Sequence, residues 1–146
     1  MQNSTDVRIV LGAWDRLRDD AYLVRYEVFV VEQAVPVEIE VDDDDACSVH
    51  AVAYGSGGRP LATGRLLPDG HIGRLAVRKA ARGTGLGSEV LKTLIAQGHG
   101  DGHRMLVLHA QVHARSFYEA HGFAAQGDEF LEAGIAHVAM SRELPR

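Results

Sequence analysis

Apolar residues recur along this chain in two rhythms, and the switches between them mark out its elements. Residues 7–11 read as a short strand closed by Gly12. From about Asp15 onward, Leu17, Ala21, Val24 and Val28 fall at helical spacing and line one face. The helix runs on into Phe29-Val30-Val31-Glu32-Gln33 and stops before Pro36, whose ring cannot continue it. The period then shortens. Residues 47–54 and 61–67 are short apolar runs joined by Gly55-Ser56-Gly57-Gly58-Arg59-Pro60, a hairpin signature. Pro68-Asp69-Gly70 marks a second turn before another strand over residues 71–78, so these strands form an antiparallel meander.

Helical spacing returns from Gly85 to about Gln97, with Leu86, Val90, Leu91, Leu94 and Ile95 on one face. Met105-Leu106-Val107-Leu108 opens a strand over residues 105–111, and its unbroken apolar run predicts cover on both faces. A second helix is predicted over residues 113–121, ending in Gly122 as C-cap with Phe123 as its hydrophobic follower. Closing strands lie near residues 123–126 and 137–141. The strand at 71–78, the helix and the strand at 105–111 form a βαβ unit with a right-handed crossover. No linker or internal repeat divides the chain, which reads as one mixed α/β (α+β) domain over residues 1–146.

Composition narrows the function. At 46% hydrophobic and 24% charged residues the chain has the balance of a water-soluble globular protein. No apolar stretch approaches the roughly 20 residues that span a bilayer, and the first ten residues lack a secretory pattern. Cys47 is the single cysteine, which excludes an internal disulfide framework and fits a reducing compartment. A cytoplasmic address and no membrane partner are therefore expected. The net charge of −5 argues against nucleic-acid binding. Acidic residues gather at Glu38, Glu40 and Asp42 to Asp45. Two readings of that run stand: a solvated loop, or an attractor for a cationic substrate. It lacks the Gly and closing Glu of a calcium loop. His99 and His103 have an i, i+4 spacing, but Gly100 and Gly102 break the helix that would align them, so no metal site is expected.

The chemistry concentrates in Arg82-Gly83-Thr84-Gly85-Leu86-Gly87, between a strand and the start of a helix. Backbone N–H groups at a helix N-terminus have no internal partner and carry partial positive charge. Glycines let an anion approach them, and Arg82 adds a forked donor suited to phosphate oxygens. This is a diphosphate cradle in physical terms, although a glycine turn that only packs the helix has the same composition. A Walker loop is excluded because Ser88 and Glu89 follow Gly87, and a dinucleotide fingerprint would place Gly where Ser88 stands.

Arg82-x-x-Gly85-x-Gly87 after Arg74-Leu75-Ala76-Val77 resembles the acetyl-CoA motif of the GNAT superfamily of N-acetyltransferases. Gln111-x-x-Ala114-x-x-Phe117-Tyr118-x-x-x-Gly122-Phe123 resembles that family's second signature, with Gln111 where the family more often has Asn. Val28 to Gln33, the acidic stretch with His50, and Phe130-Leu131-Glu132-x-Gly134-Ile135-x-His137-x-x-Met140 are similar to its ElaA-type branch. The resemblance implies a mostly antiparallel mixed sheet with one splayed parallel strand pair and helices on both faces. It implies that the backbone of Leu75, Ala76 and Val77 holds the pantetheine arm of acetyl-CoA. Arg82, Gly83, Thr84, Gly85, Leu86, Gly87 and Ser88 would hold its diphosphate, with Gln111 a further contact.

Direct transfer to the primary amine of a small molecule then follows, with a protein amine or a non-catalytic acyl-CoA sensor as alternatives. Tyr118 is, by resemblance, the acid that protonates the leaving thiolate. His137 is the first candidate for the base, with Glu32 and His50 as alternatives. Cys47 has no evident activating base near it in sequence, which argues against an acyl-enzyme. A homodimer is the assembly the resemblance suggests.

Overall fold

The computed structural model describes residues 7–145. One seven-stranded sheet runs in the order β1-β2-β3-β4-β5-β7-β6. Its strands are β1 (Arg8–Gly12), β2 (Val49–Tyr54), β3 (Pro60–Leu66), β4 (His71–Val77), β5 (Met105–Gln111), β6 (Ala124–Glu132) and β7 (Ile135–Glu143). The expected meander is β2-β3-β4, every neighbour antiparallel. The expected parallel pair is β4 and β5, joined through helix α3 (Leu86–Gly100).

Helix α1 (Trp14–Arg25) and α3 lie on opposite faces, as the alternation along β2 dictates. Ala51 and Ala53 point to the cluster that holds Leu86, Val90, Leu91 and Leu94 of α3. Val52 and Tyr54 point the other way, against Leu17 and Ala21 of α1. Val24 and Val28 then reach Ala76 of β4. Small residues on β2 and β3 let α3 sit close to the sheet. A Cβ on Gly64 would fall 2.8 Å from Leu94 and 3.1 Å from Leu75.

The first helix does not end as a regular α-helix. It passes into a π-helical segment, Tyr26–Glu32, closed by Gln33 N–H donating to the Val28 carbonyl at 3.2 Å. A one-turn helix α2 (Val37–Glu40) follows Pro36.

The sequence reading needs adjustment in three places. Helix α4 (Arg115–Glu119) is short, preceded by a 3₁₀ turn at Val112–Ala114. Its predicted cap holds: Gly122 has φ +86° and Phe123 N–H reaches back to the Tyr118 carbonyl at 3.1 Å. The closing strands are longer than the apolar runs suggested, because Gly127 (φ +79°) lies within β6 where its register with β7 shifts, between Gln126 and Phe130. Strand β5 is not covered on both faces throughout: Met105 is 48% exposed, while Leu106 and Leu108 are buried. The face bearing Val107, His109 and Gln111 opens instead toward a cleft.

Candidate active site

Strands β4 and β5 pair only at their beginnings, His71 with Val107 and Ile72 with Leu108. Beyond Ile72 the edge of β4 that faces β5 has no strand partner among the described residues. The cause lies in β4 itself. Its register with β3 slips between Thr63 and Arg65, and Arg74 sits in the left-handed region at φ +52°. That extra residue is a bulge, which bends the strand away from its parallel neighbour. A cleft of about 1000 Å³ fills the gap.

The cleft gathers most of the residues singled out in the sequence. Leu75, Ala76 and Val77 of β4, Arg82, Gly87, Gln111, Tyr118, Glu32 and His137 all line it. At one end stands the head of α3. The backbone amides of residues 83–88 have no acceptor among the described residues, and the first helical turn bond is Glu89 N–H to the Gly85 carbonyl at 3.1 Å. Gly83 and Gly85 have φ of +78° and +85°, and a Cβ on either would meet nothing within 4 Å. Their glycine identity therefore answers to backbone conformation, not crowding. Gly87 answers to crowding: a Cβ there would lie 3.3 Å from Val77 and 3.7 Å from Phe117. Thr84 donates its hydroxyl to the Ala81 carbonyl at 2.5 Å, bracing the turn. The Ser88 hydroxyl is 2.7 Å from His121 Nε2, a partner the sequence did not suggest. The Leu86 side chain is buried in the core, so its amide alone is available.

Two predicted site residues are tied to each other. Arg82 Nη1 and Nη2 donate to the two oxygens of Glu32 at 2.9 and 2.6 Å, and its Nε donates to the Val77 carbonyl at 3.0 Å. Gln111 donates to the Gln33 side chain at 2.9 Å, and Gln33 donates back at 3.4 Å. The extra methylene of Gln over Asn gives Gln111 the reach for that pair.

Tyr118 packs edge-on between Phe117 and Phe123, at 5.1 and 6.2 Å between ring centres. Loss of water around it pushes its hydroxyl up to about 12. It is therefore a proton carrier, never a phenolate, at neutral pH. His137 is buried, with Nδ1 2.7 Å from the Ile135 carbonyl and its ring stacked 6.0 Å from Phe130.

His50 is not in this cleft. It is buried against Trp14 at 4.8 Å between ring centres, and Nε2 bonds the Asp45 carbonyl at 2.9 Å. Burial lowers its pKa, and its role is structural. Cys47 is exposed and is not among the residues that line the cleft.

The acidic run is only in part the solvated loop that was one of its two readings: Glu38, Asp43 and Asp44 are exposed. Glu40 and Asp45 are each 1% exposed and clamp Arg25, which is equally buried. Arg65 joins Asp42 and Asp45 at 2.7 and 2.8 Å, and Arg74 reaches Asp42 at 3.2 Å. Burial alone would push the Asp45 carboxyl up, but hydrogen bonds and charge from Arg25, with help from the Asp42 amide and Arg65, hold it at about 2. Only Asp43 and Asp44 of that run of aspartates are exposed. This ionic block forms one wall of the cleft and carries no surplus charge into it from Glu40, Asp42 or Asp45. No cluster suited to a metal ion occurs among the described residues, and no helix among them is long and apolar enough to cross a membrane.

A splayed parallel pair beside a helix head with free amides decides the fold family, and comparison with known proteins agrees. Residues 16–144 match the family described as "Acetyltransferase (GNAT) domain". The chain belongs to the GNAT family. It is an acyltransferase of the N-acetyltransferase type. It is 39% identical over 141 residues to the uncharacterized N-acetyltransferase YjcF of Bacillus subtilis, covering 94% of this chain and 100% of that protein. Its structure is similar to that of an acyl-CoA N-acyltransferase from Pseudomonas aeruginosa, with a TM-score of 0.84, 32% identity and coverage of 93% and 99%. It is also similar to Escherichia coli ElaA, with a TM-score of 0.82, 27% identity and coverage of 94% and 99%.

Sequence reasoning did not name the partners of these residues. Gln33, His121, His109 and Glu132 all touch predicted site residues or share their wall. The one available signal was strand alternation, which puts His109 on the same face as Gln111.

Proposed function

We propose that this GNAT enzyme transfers an acetyl group from acetyl-CoA directly to the primary amine of a small molecule, by way of the cleft between β4 and β5. The observation that carries the reading is the continuity of that cleft. It runs from Arg82 and Gly87 at the head of α3, along the unpaired edge of β4, to Tyr118 and His137.

Acetyl-CoA supplies a thioester whose acyl carbon is open to attack. The amides of residues 83–88 bind its diphosphate, with Arg82 exchanging Glu32 for phosphate oxygens. The open edge of β4 at Leu75, Ala76 and Val77 hydrogen-bonds the pantetheine arm, and Gln111 and Gln33 border it. A main-chain donor aimed at the developing oxyanion contributes roughly 3 kcal/mol to the rate. Tyr118 holds the proton that the thiolate needs. His137 holds its Nδ1 proton on the Ile135 carbonyl, which leaves Nε2 as the basic nitrogen. The enzyme acts in the cytoplasm, and assembles as a homodimer.

A thermal shift with acetyl-CoA and CoA tests the cosubstrate: at 100 times its Kd a ligand stabilises by about 2.7 kcal/mol. A panel of primary amines scored by thiol release tests transfer. Tyr118→Phe should lower kcat by about 100-fold or more while leaving the acetyl-CoA thermal shift intact. An unchanged kcat in that variant removes Tyr118 as the acid.

A further inference from the structure

Several carboxylates line the cleft. Glu32, Glu40 and Asp42 are each bound by a guanidinium; Asp44 and Glu132 have none among the described residues, and of these two Glu132 stands beside His137. It ends β6, and the turn Ala133-Gly134 (φ +52° and +77°) folds the chain back so that Glu132 faces Ile135 and Phe130 faces His137. This places the carboxylate beside the imidazole. A carboxylate only accepts, so His109 Nδ1 donates to Glu132 Oε1, at 2.9 Å. Oε2 is left free of that bond and stands 3.8 Å from His137 Nε2.

The tautomer of His137 follows from its other nitrogen. The Ile135 carbonyl can only accept, so Nδ1 carries the hydrogen and the neutral ring presents a lone pair at Nε2. With the ring neutral, two lone-pair acceptors thus stand 3.8 Å apart, His137 9% and Glu132 46% exposed, with no donor between them among the described residues. A group with several N–H bonds and positive charge, entering from the cleft that both residues line, can satisfy both at once. A primary ammonium has both.

We propose that Glu132 Oε2 and His137 Nε2 together seat the ammonium group of the acceptor, so that the enzyme takes up its amine in protonated form. This rests on the N-acetyltransferase reading with His137 as base. His109, which fixes the carboxylate, is a positioning residue, and Phe130 holds both rings, 5.0 Å from His109 and 6.0 Å from His137. The ammonium gives one proton to Nε2 and keeps its tie to Oε2 through another. Its freed lone pair forms the C–N bond to the acyl carbon as the C–S bond breaks. Tyr118 protonates the thiolate, and the second proton shed by the nitrogen restores the phenol through solvent. The β6–β7 hairpin then attracts the cationic acceptor.

The test needs no knowledge of the natural acceptor. n-Butylammonium chloride is titrated into the protein with the imidazole signals of His137 and His109 followed by NMR, against tetramethylammonium chloride at matched ionic strength. Butylammonium should shift both signals saturably, E132Q should weaken that binding by about tenfold, and tetramethylammonium, equally charged but without N–H bonds, should not reproduce it. Equal affinity in E132Q, or equal shifts with tetramethylammonium, overturns the proposal. For any amine that the enzyme acetylates, E132Q should raise its KM about tenfold and leave the KM of acetyl-CoA unchanged. Loss of the acetyl-CoA thermal shift would strike at the cosubstrate reading alone, because the butylammonium titration does not depend on it.

Discussion

Replacing Arg25 with Ala should unfold this protein more readily than any change at its surface. The Arg25 guanidinium is 1% exposed and donates to Glu40 at 2.9, 3.0 and 2.7 Å, to the Glu40 carbonyl at 2.9 Å, and to Asp45 at 2.8 and 3.0 Å. It also lies over the Trp14 ring at 5.1 Å. Breaking a buried pair from one side costs about 3–5 kcal/mol, since the orphaned charge stays behind. Arg65 still reaches Asp45 at 2.8 Å and Arg74 stands 3.7 Å from Glu40, which places the loss at the lower end, about 3 kcal/mol. For a chain of this size that lowers Tm by about 10 °C.

Urea unfolding at pH 7 and pH 5 reads both the size and the sign. Asp45 is held at about 2 in the wild type, so its contribution is complete above the ordinary carboxylate range and is lost only as the pH falls toward 2. In the variant, buried carboxylates without their guanidinium take up protons more readily, so the gap between the two proteins narrows at pH 5. Arg25→Met keeps the packed stem and should lose nearly as much, which separates charge from volume. A loss under about 1 kcal/mol at pH 7 refutes this account.

Gly85→Ala forces a Cβ onto φ +85°, at a cost of about 1–2 kcal/mol, and turns the head of α3. Acetyl-CoA affinity, measured by calorimetry, should fall along with stability. Because burial holds the Tyr118 hydroxyl at about 12, the phenol stays protonated through the assay range, and kcat/KM should show no alkaline fall due to this group below about pH 10. A fall near pH 9 that Tyr118→Phe abolishes would contradict that placement.

The elements were legible because each buries its apolar set in the rhythm its backbone allows. The face of α3 that carries Leu86, Val90, Leu91, Leu94 and Ile95 is the face that meets the sheet. The splay was legible only through family likeness, since no side-chain pattern announces that Arg74 takes a left-handed backbone conformation. The ion pairing of Glu40, Asp42 and Asp45 was hidden for a related reason. Its neutralising partners, Arg25, Arg65 and Arg74, lie 15 or more residues away from it or across a strand, and charge patterning along a sequence sees only neighbours. The Gln111–Gln33 and Arg82–Glu32 pairs are separated by 78 and 50 residues, beyond any local signal. The β6 bulge was hidden because Gly127 interrupts the alternation that would have extended the strand.

The tie between Arg82 and Glu32 bears on how a diphosphate is received at the head of α3. A free arginine surrenders about 2 kcal/mol of rotamer freedom when a ligand pins it. Arg82 has surrendered it already, since one edge of its guanidinium is fixed on Val77 and the rest on an internal anion of similar shape. On the proposed function an incoming phosphate is received by exchange of partners, and the same event leaves the Glu32 carboxylate unpaired beside the arginine it has lost.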